Sequence, residues 1–449
     1  MKKINISNEI KELHKDYFIQ KIKPELEKEV INDDNCNDLI HSVTSSDLIE
    51  LGINNLSIVD FERYFKKYYK RFFKFLSKQK NSIRIAIGNM DELLKLDKLL
   101  KKKHKFIYSY LFPKEENWGN THSLKFRKFL LDIFGYDEFI KVDLFEEIKS
   151  QASYNLYQEK RRYDGSPSYL EIKRIMKMIF PNSKKIIDDN FPDTRSSMTV
   201  SNFKKIYKQI NCLNITLLNY KAATTSLNLS WSAYHFILMI NLRTCPYCNR
   251  QYITPVLSDS GRVRADLDHF LPKSRFPIFS LSLYNLIPVC SNCNSSLKGD
   301  KFGSFNDIHP YNTSIADLFK FKIDIINTSI TLEIDSSLEP DTKSTVTKHL
   351  ENFKLETLYN YHRNQVDELV KKRLAYPDER IIRIYNKNQE YFRSIEELKQ
   401  VIIGFINDES KINDEPFLKY RRDIAKQLGF VDEPSSILIE QLKKINFSN

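Results

Sequence analysis

The sequence predicts a protein that is mainly α with an embedded α+β module. Apolar residues recur at helical spacing along both ends of the chain, whereas strand-like alternation appears at residues 319–334. Four of the six cysteines form two closely spaced pairs between these regions. The 449 residues, 41% of them hydrophobic, are enough for two or three domains with buried cores.

The N-terminal region, residues 1–224, is predicted to be helical and basic. Its clearest pattern spans residues 60–78, where lysine or arginine fills most positions between apolar residues at helical spacing, namely Phe61, Phe65, Tyr68, Phe72, Phe75 and Leu76. We expect a helix that buries this aromatic stripe and exposes a cationic face. Aromatic rings between lysines can also stack on bases, but core packing is the favoured interpretation. Further helical patterns cover about 91–111, 122–134, 168–180 and 225–242.

The C-terminal region, residues 311–449, begins with a predicted β-hairpin. Apolar and polar residues alternate over residues 319–325 and again over 330–334, and Asn327, Thr328 and Ser329 form the turn. Helical patterns then cover about 345–376, 389–405, 416–428 and 435–446. These changes of pattern place domain boundaries near residues 225 and 310, so that residues 225–310 form the central module.

The charge distribution favours nucleic acid as the partner. Lysine and arginine number 70 against 58 acidic residues, a net charge of +12, and residues 51–250 carry 36 basic and 19 acidic side chains. No acidic residue lies between Asp193 and Asp259. Within that run Lys204, Lys205 and Lys208 are predicted to contact nucleic-acid phosphates, although a solvated surface that binds nothing is the alternative interpretation.

Several classes of protein are disfavoured. None of the ten glycines falls in a GxGxxG or GxxxxGK[ST] pattern, which argues against a nucleotide-binding fold. No apolar run reaches the ~18 residues of a membrane span, and the first residues contain no hydrophobic stretch typical of a signal peptide. We therefore expect a cytoplasmic protein without a membrane partner, in which paired cysteines indicate a metal before a disulfide.

The cysteine pairs predict a structural zinc site. Cys245 and Cys248 form one CxxC pair, Cys290 and Cys293 form the second, and 41 residues lie between the two pairs. Two such pairs can complete a closed tetrahedral site, in which the metal has no vacant position for chemistry. The alternative is a redox CxxC motif, which needs no second pair.

Candidate catalytic residues lie between and directly after these pairs. Cleavage of a phosphodiester requires a base that activates water and a hard cation held by oxygen ligands. His269 can be the base, whereas Asp268 and Asn294 offer the oxygens. Because neighbouring residues of a strand point to opposite faces, Asp268 and His269 can act together only if the strand ends there, and Pro272 is consistent with such an end.

At these residues the chain resembles the HNH nucleases, whose fold is a β-hairpin followed by a helix around one divalent ion, the ββα-metal core. The resemblance rests on the Asp268-His269 dipeptide, the asparagine of YNLIPVC, and the CxxCN sequence before the helix. It implies that His269 is the general base, that Asp268 and Asn294 bind Mg²⁺ or Mn²⁺, and that Asn285 braces the loop that orients the histidine. Family members often read CNSSKG where this chain has CNSSLKG, a departure of one residue that bears on the role of Lys298 rather than on the metal site.

Weaker expectations complete the sequence-based interpretation. Lys273, Arg275 and Lys298 are candidate phosphate contacts.

A looser resemblance to HNH subunits of Septu-type and retron antiviral systems implies a role in phage defence and an ATPase partner of the ABC or SMC class. DNA is the first substrate expected, RNA such as tRNA the second, and homo-oligomerisation would allow double-strand cleavage. The rival hypothesis is a non-catalytic, zinc-stapled adaptor that binds nucleic acid.

Overall fold

The computed structural model describes residues 1–53, 55–142, 147, 173–174, 177, 184–190, 212–213, 230–258, 262–299, 303–324, 329–405 and 407–431. The chain divides into two compact units. Unit 1 contains Met1–Asn5, Leu242–Ile253 and Pro288–Asn449, and unit 2 contains Ile6–Asn241 and Thr254–Ile287. The predicted domain boundaries near 225 and 310 stay a prediction.

Unit 2 is mainly helical. Its helices are α1 (Asn8–Tyr17), α2 (Lys23–Ile31), α3 (Asp34–Ile40), α4 (Ser45–Glu50), α5 (Ile58–Leu76), α6 (Gln79–Ile87), α7 (Met90–Lys103), α8 (Lys105–Leu111), α9 (Thr121–Ile133), α10 (Tyr136–Lys141), α11 (Lys184–Asn190) and α12 (Ala233–Ile240). A π-helical turn, Phe18–Ile22, joins α1 to α2. Side-chain caps fix several starts: the Ser57 hydroxyl accepts the Asp60 amide at α5, and Asn89 and Glu92 form a reciprocal capping box at α7.

The core of unit 2 is aromatic. The fully buried side chains of α5 are Phe61, Phe65, Tyr69, Phe72, Phe73 and Leu76. Phe65 meets Tyr110 of α8 edge to face, with ring centroids 4.8 Å apart. The predicted helix is confirmed, but the prediction that Tyr68 and Phe75 belong to its buried stripe is wrong, because both are only half-buried. On an α-helix with about 3.6 residues per turn the six buried residues share one face, and Tyr68 and Phe75 lie at the edge of that face.

The β-structure of unit 2 is small. Strands β1 (Cys212–Leu213), β2 (Val256–Ser258) and β3 (Arg262–Val263) form an antiparallel sheet in that order. Strand β4 (Asp266–His269) forms a two-stranded sheet with β5 (Leu286–Val289), of which Leu286 and Ile287 belong to unit 2. The loop between them contains two single-turn 3₁₀ helices, Pro277–Phe279 and Leu283–Asn285.

Unit 1 contains the predicted hairpin and a helical C-terminal region. Strands β6 (Phe319–Asp324) and β7 (Ser329–Ile334) pair antiparallel, with Phe321 opposite Leu332 and Ile323 opposite Ile330. The predicted turn residues 327 and 328 lie outside the described residues. The helices that follow are α13 (Pro340–Asn352), α14 (Leu355–Asn360), α15 (Arg363–Ala375), α16 (Asp378–Lys387), α17 (Ile395–Ile403) and α18 (Leu418–Gln427).

The helical pattern predicted over 345–376 corresponds to three helices. Lys354 has a φ of 48°, a left-handed conformation that ends α13 and starts α14 in a new direction. The prediction of a mainly α protein with small strands is confirmed. Most of the pattern over 168–180 and all of that over 435–446 lie outside the described residues. Among the helices that the structure describes, none has the length and apolar character needed to cross a membrane.

Candidate metal centre and active site

The four predicted zinc cysteines lie together in unit 1. Cys245, Cys248, Cys290 and Cys293 are all buried, and their sulfur atoms all lie within 4.8 Å of one another. The Sγ atoms of Cys248 and Cys290 are 3.8 Å apart. Four sulfurs at ~2.3 Å from a tetrahedral ion would be separated by about 3.8 Å. The donor set and its spacing therefore fit one zinc ion.

Backbone hydrogen bonds shape the first cysteine pair into a tight turn. The Asn249 amide donates to the Cys245 carbonyl at 2.8 Å, and the Arg250 amide donates to the Cys248 sulfur at 3.4 Å. Asn249 adopts a φ of 51°, and its buried side chain donates to the Ile412 carbonyl at 2.7 Å. Because a left-handed residue with an amide side chain closes the turn, both thiols point to the same side.

The electrostatics of the cluster favour a bound cation. Hydrogen bonding from neighbouring thiols, foremost Cys245, raises the pKa of both Cys248 and Cys293, and burial adds to the effect. Four thiolates at such separations repel one another in a buried environment. A divalent ion would neutralise much of that charge and allow the cysteines to ionise as ligands.

His269 is held at the end of β4 in unit 2. The strand ends at this residue, as the joint use of Asp268 and His269 requires. The Nε2 atom of His269 lies 2.9 Å from the Ser280 carbonyl oxygen. Since a carbonyl can only accept, Nε2 carries the proton and donates it, which leaves Nδ1 as the basic nitrogen. His269 is 9% exposed.

Asn285 ties together the loop that holds His269. Its Oδ1 accepts the Leu271 amide at 2.6 Å, while its Nδ2 donates to the carbonyls of Leu271 at 3.1 Å and Phe279 at 2.9 Å. Its backbone carbonyl also accepts the Phe270 amide at 2.9 Å. The side chain is fully buried, so these bonds replace all of its contacts with water.

Two residues that sequence reasoning missed also support this loop. The ring of Tyr136, from α10, meets His269 edge to face with centroids 4.2 Å apart, and its hydroxyl donates to the Leu267 carbonyl at 3.1 Å. His14, from α1, lies 2.8 Å from the Leu281 carbonyl through Nε2. Each lies more than 100 positions from the residues it contacts, and no local pattern marks either one.

The remaining predicted ligands divide between the two units. Asp268 is 2% exposed and belongs to unit 2. Asn294 belongs to unit 1, where it lies in a π-helical segment, Asn292–Lys298, and its carbonyl accepts the Gly299 amide at 2.9 Å. That bond spans five residues, as expected when a helical turn holds one additional residue, and CNSSLKG has one more residue than CNSSKG.

The basic candidates differ in accessibility. Lys298 is 4% exposed, so the structure does not present it as a surface contact. Arg275 is exposed, with its guanidinium 5.8 Å from the centre of the Trp118 ring, and the half-buried Lys273 lies over the Tyr136 ring at 5.1 Å. The other three predicted contacts lie outside the described residues: Lys204, Lys205 and Lys208.

Comparison with known proteins identifies the segment that carries these residues. Residues 245–304 match the family model of the HNH endonucleases. The chain carries an HNH endonuclease segment. This HNH segment includes the four cysteines, His269 and Asn285, so the resemblance predicted from the sequence is confirmed.

One relative matches the chain over a short stretch. Over 81 residues the chain is 35% identical to protein ea31 of Escherichia phage lambda, which corresponds to 17% of this chain and 24% of that protein. The chain thus matches about a quarter of the length of this relative. No solved structure matches the chain.

Proposed function

We propose that the protein is a metal-dependent endonuclease that hydrolyses phosphodiester bonds, with DNA as the first substrate and RNA, including tRNA, as the alternative. The observation that carries the proposal is the fixed tautomer of His269. The Nε2–H group of His269 donates to the Ser280 carbonyl at 2.9 Å, and the bonds of Asn285 hold the loop that presents this carbonyl. A non-catalytic zinc module has no need of a histidine prepared in this way.

In the proposed reaction, Nδ1 of His269 takes a proton from the attacking water. Asp268 and Asn294 supply a carboxylate and an amide oxygen, the hard ligands that Mg²⁺ or Mn²⁺ prefers. Such an ion, when bound, stabilises the charge on the phosphate and on the leaving 3′ oxygen. The assignment of Asn294 rests on the family resemblance. Lys273 and Arg275 contact phosphates next to the cleaved bond, and the three lysines at 204, 205 and 208 contribute affinity.

The test compares three substrates under one condition. Purified protein with Mg²⁺ or Mn²⁺ is incubated with plasmid, single-stranded DNA and total RNA. We expect His269→Ala to abolish divalent-dependent cleavage while zinc content and nucleic-acid affinity persist. His41→Ala, which removes an exposed histidine of the same unit, is the matched control. Cleavage that survives in His269→Ala would refute the mechanism, and a wild-type protein that binds all three substrates without cutting any would favour the adaptor hypothesis.

The biological setting is a further part of the proposal. The looser resemblance to Septu-type and retron nuclease subunits supports a role in antiviral defence beside an ABC- or SMC-class ATPase, with homo-oligomerisation as a route to double-strand cleavage. We expect an ATPase gene next to this one and a stable complex when both are co-expressed. The absence of any interaction between the two purified proteins would argue against this setting, and light scattering would measure the oligomeric state.

A further inference from the structure

A cleft in unit 2 lies outside the HNH segment and is lined by aromatic rings and lysines. It has a volume of about 500 Å³ and lies between α5 and the junction of α7 with α8. This volume falls within the ~300–1,000 Å³ typical of sites that hold a small organic molecule. Its aromatic wall consists of Tyr64, Tyr68 and Phe106.

The rings of this wall are arranged as a stacking surface. Tyr64 and Tyr68 lie nearly parallel, with an interplanar angle of 16° and centroids 6.1 Å apart, and Phe106 lies 5.3 Å from Tyr68. All three are half-buried, in contrast to the fully buried core rings of α5. The guanidinium groups of Arg63 and Arg71 lie 5.7 Å from the ring centres of Tyr64 and Tyr68, so cationic and aromatic side chains meet at this wall.

The hydroxyl groups also distinguish these tyrosines from those of the core. The Tyr69 hydroxyl donates to Glu29 at 2.5 Å, and the Tyr110 hydroxyl donates to the Leu39 carbonyl at 3.1 Å. Within the described part of the chain, the hydroxyls of Tyr64 and Tyr68 make no such bond. These two hydroxyls are therefore left to solvent or to a ligand.

Among the described residues, the lysines of the cleft have no acidic partner. Lys102, Lys103 and Lys105 are exposed, and no carboxylate of a described residue lies within 4.0 Å of their ammonium groups. The neighbouring Lys101, by contrast, pairs with Asp97 at 2.8 Å. Three uncompensated cations within four positions attract a polyanion, and their charge would be screened by salt.

We propose that this cleft binds unpaired bases of a single-stranded nucleic acid, with the tyrosine rings stacked on bases and the lysines on flanking phosphates. The choice of ligand rests on the proposed nuclease function and deepens it by specifying the strand state. Base faces are covered in a duplex, whereas a single strand exposes them to aromatic side chains. An acidic peptide would satisfy the lysines but would leave the rings without a planar partner.

The first test measures stacking. Fluorescence anisotropy follows a labelled oligo(dT) 15-mer, and the matched duplex, on the full chain carrying His269→Ala so that no substrate is cut. Removing an aromatic ring that stacks on one base typically raises the Kd about 5- to 160-fold. We expect Tyr68→Leu to raise the Kd for the single strand at least fivefold. Tyr391→Leu, which removes a tyrosine that is 72% exposed in unit 1, is the matched control and should leave the Kd unchanged.

The second test measures charge and does not alter the core. Replacing Lys102, Lys103 and Lys105 by glutamine should reduce the slope of log Kd against log salt by about 2 for a single strand. The control replaces three exposed lysines of unit 1 by glutamine, namely Lys320, Lys354 and Lys387. It makes the same change in net charge and should retain more of the salt slope. Polyglutamate as a competitor tests the acidic-peptide alternative.

The outcomes separate this proposal from the nuclease function. If wild-type protein cleaves nucleic acid but both cleft variants bind like their controls, the cleft proposal fails and the nuclease stands. If wild-type protein never cleaves but the cleft variants lose single-strand binding, the cleft stands and the nuclease fails. Equal loss of duplex and single-strand affinity in Tyr68→Leu, or displacement by polyglutamate as effective as by oligo(dT), would also overturn base stacking.

Discussion

Acid should destabilise unit 2 through one buried histidine, His14. Its Nε2 lies 2.8 Å from the Leu281 carbonyl, and the Trp231 indole N–H donates to its Nδ1 at 3.0 Å. The neutral ring satisfies both partners, because it donates through Nε2 and accepts through Nδ1. A second proton would place Nδ1–H against the indole N–H at a fully buried side chain.

The size of the effect follows from the pKa. Burial lowers the pKa of His14 from 6.5 to about 4. Between these two values the unfolded chain binds a proton that the folded unit does not, so the free energy of unfolding falls as the pH falls. The contribution of His14 is fully present above pH 6.5, and about 2 kcal/mol of it is lost between pH 7.5 and pH 5.0.

The assay uses the two tryptophans of the chain, Trp118 and Trp231, which both belong to unit 2. Their fluorescence follows denaturant unfolding at a series of pH values for wild type and for His14→Gln. Glutamine can accept the indole N–H and donate to the Leu281 carbonyl, but it does not titrate. We expect the loss of stability between pH 7.5 and 5.0 to be about 2 kcal/mol smaller in His14→Gln.

Other histidines of the unit titrate as well, so the difference between the two proteins is the measured quantity. The control is His41→Gln, which removes an exposed histidine of the same unit. If wild type and His14→Gln lose the same stability on acidification, His14 is already protonated in the fold, and the hydrogen-bond argument is wrong.

Three further predictions concern the metal centre and the candidate active site. Cys245→Ser should abolish zinc binding, measured by atomic emission, and unfold unit 1, because zinc contributes on the order of 10 kcal/mol to the folding of small zinc modules. The control Cys36→Ala lies outside the cluster and should keep its zinc. A Cys245→Ser protein that is folded but free of zinc would contradict the structural role. Asn285→Ala removes three side-chain hydrogen bonds and should lower the free energy of unfolding by about 3 kcal/mol together with cleavage. Asn285→Asp keeps the bond from the Leu271 amide but places a carboxylate oxygen against the buried carbonyls of Leu271 and Phe279, so it should lose at least as much; wild-type stability and cleavage in either variant would argue against the brace. Tyr136→Phe keeps the ring beside His269 and should cleave like wild type. Tyr136→Leu removes the ring and should reduce kcat up to about 100-fold and change the pH–rate profile. A wild-type profile in Tyr136→Leu would show that the ring does not position the histidine.

Short sequence patterns were enough to predict the cysteine cluster, one strand pair and the HNH segment. The two CxxC pairs predicted the cysteine cluster, because two residues between thiols on a tight turn leave little choice of geometry. The alternation over 319–334 predicted the β6–β7 pair, because side chains alternate between the faces of a strand. The order of Asp268, His269 and Asn285 predicted the HNH segment, since that motif is read from residues close together in the chain.

Tertiary structure decided what surrounds these motifs. His14 contacts the loop and Tyr136 contacts the strand around His269. Both contacts join residues more than 100 positions apart and depend on how the helices pack, which no short-range period encodes. Packing also turned Tyr68 away from the core and into the cleft, and it buried Lys298 on a π-helical segment. Backbone geometry repeats every few residues and is therefore visible in a sequence. The neighbours of a side chain depend on how whole helices pack, and only the folded chain brings them together.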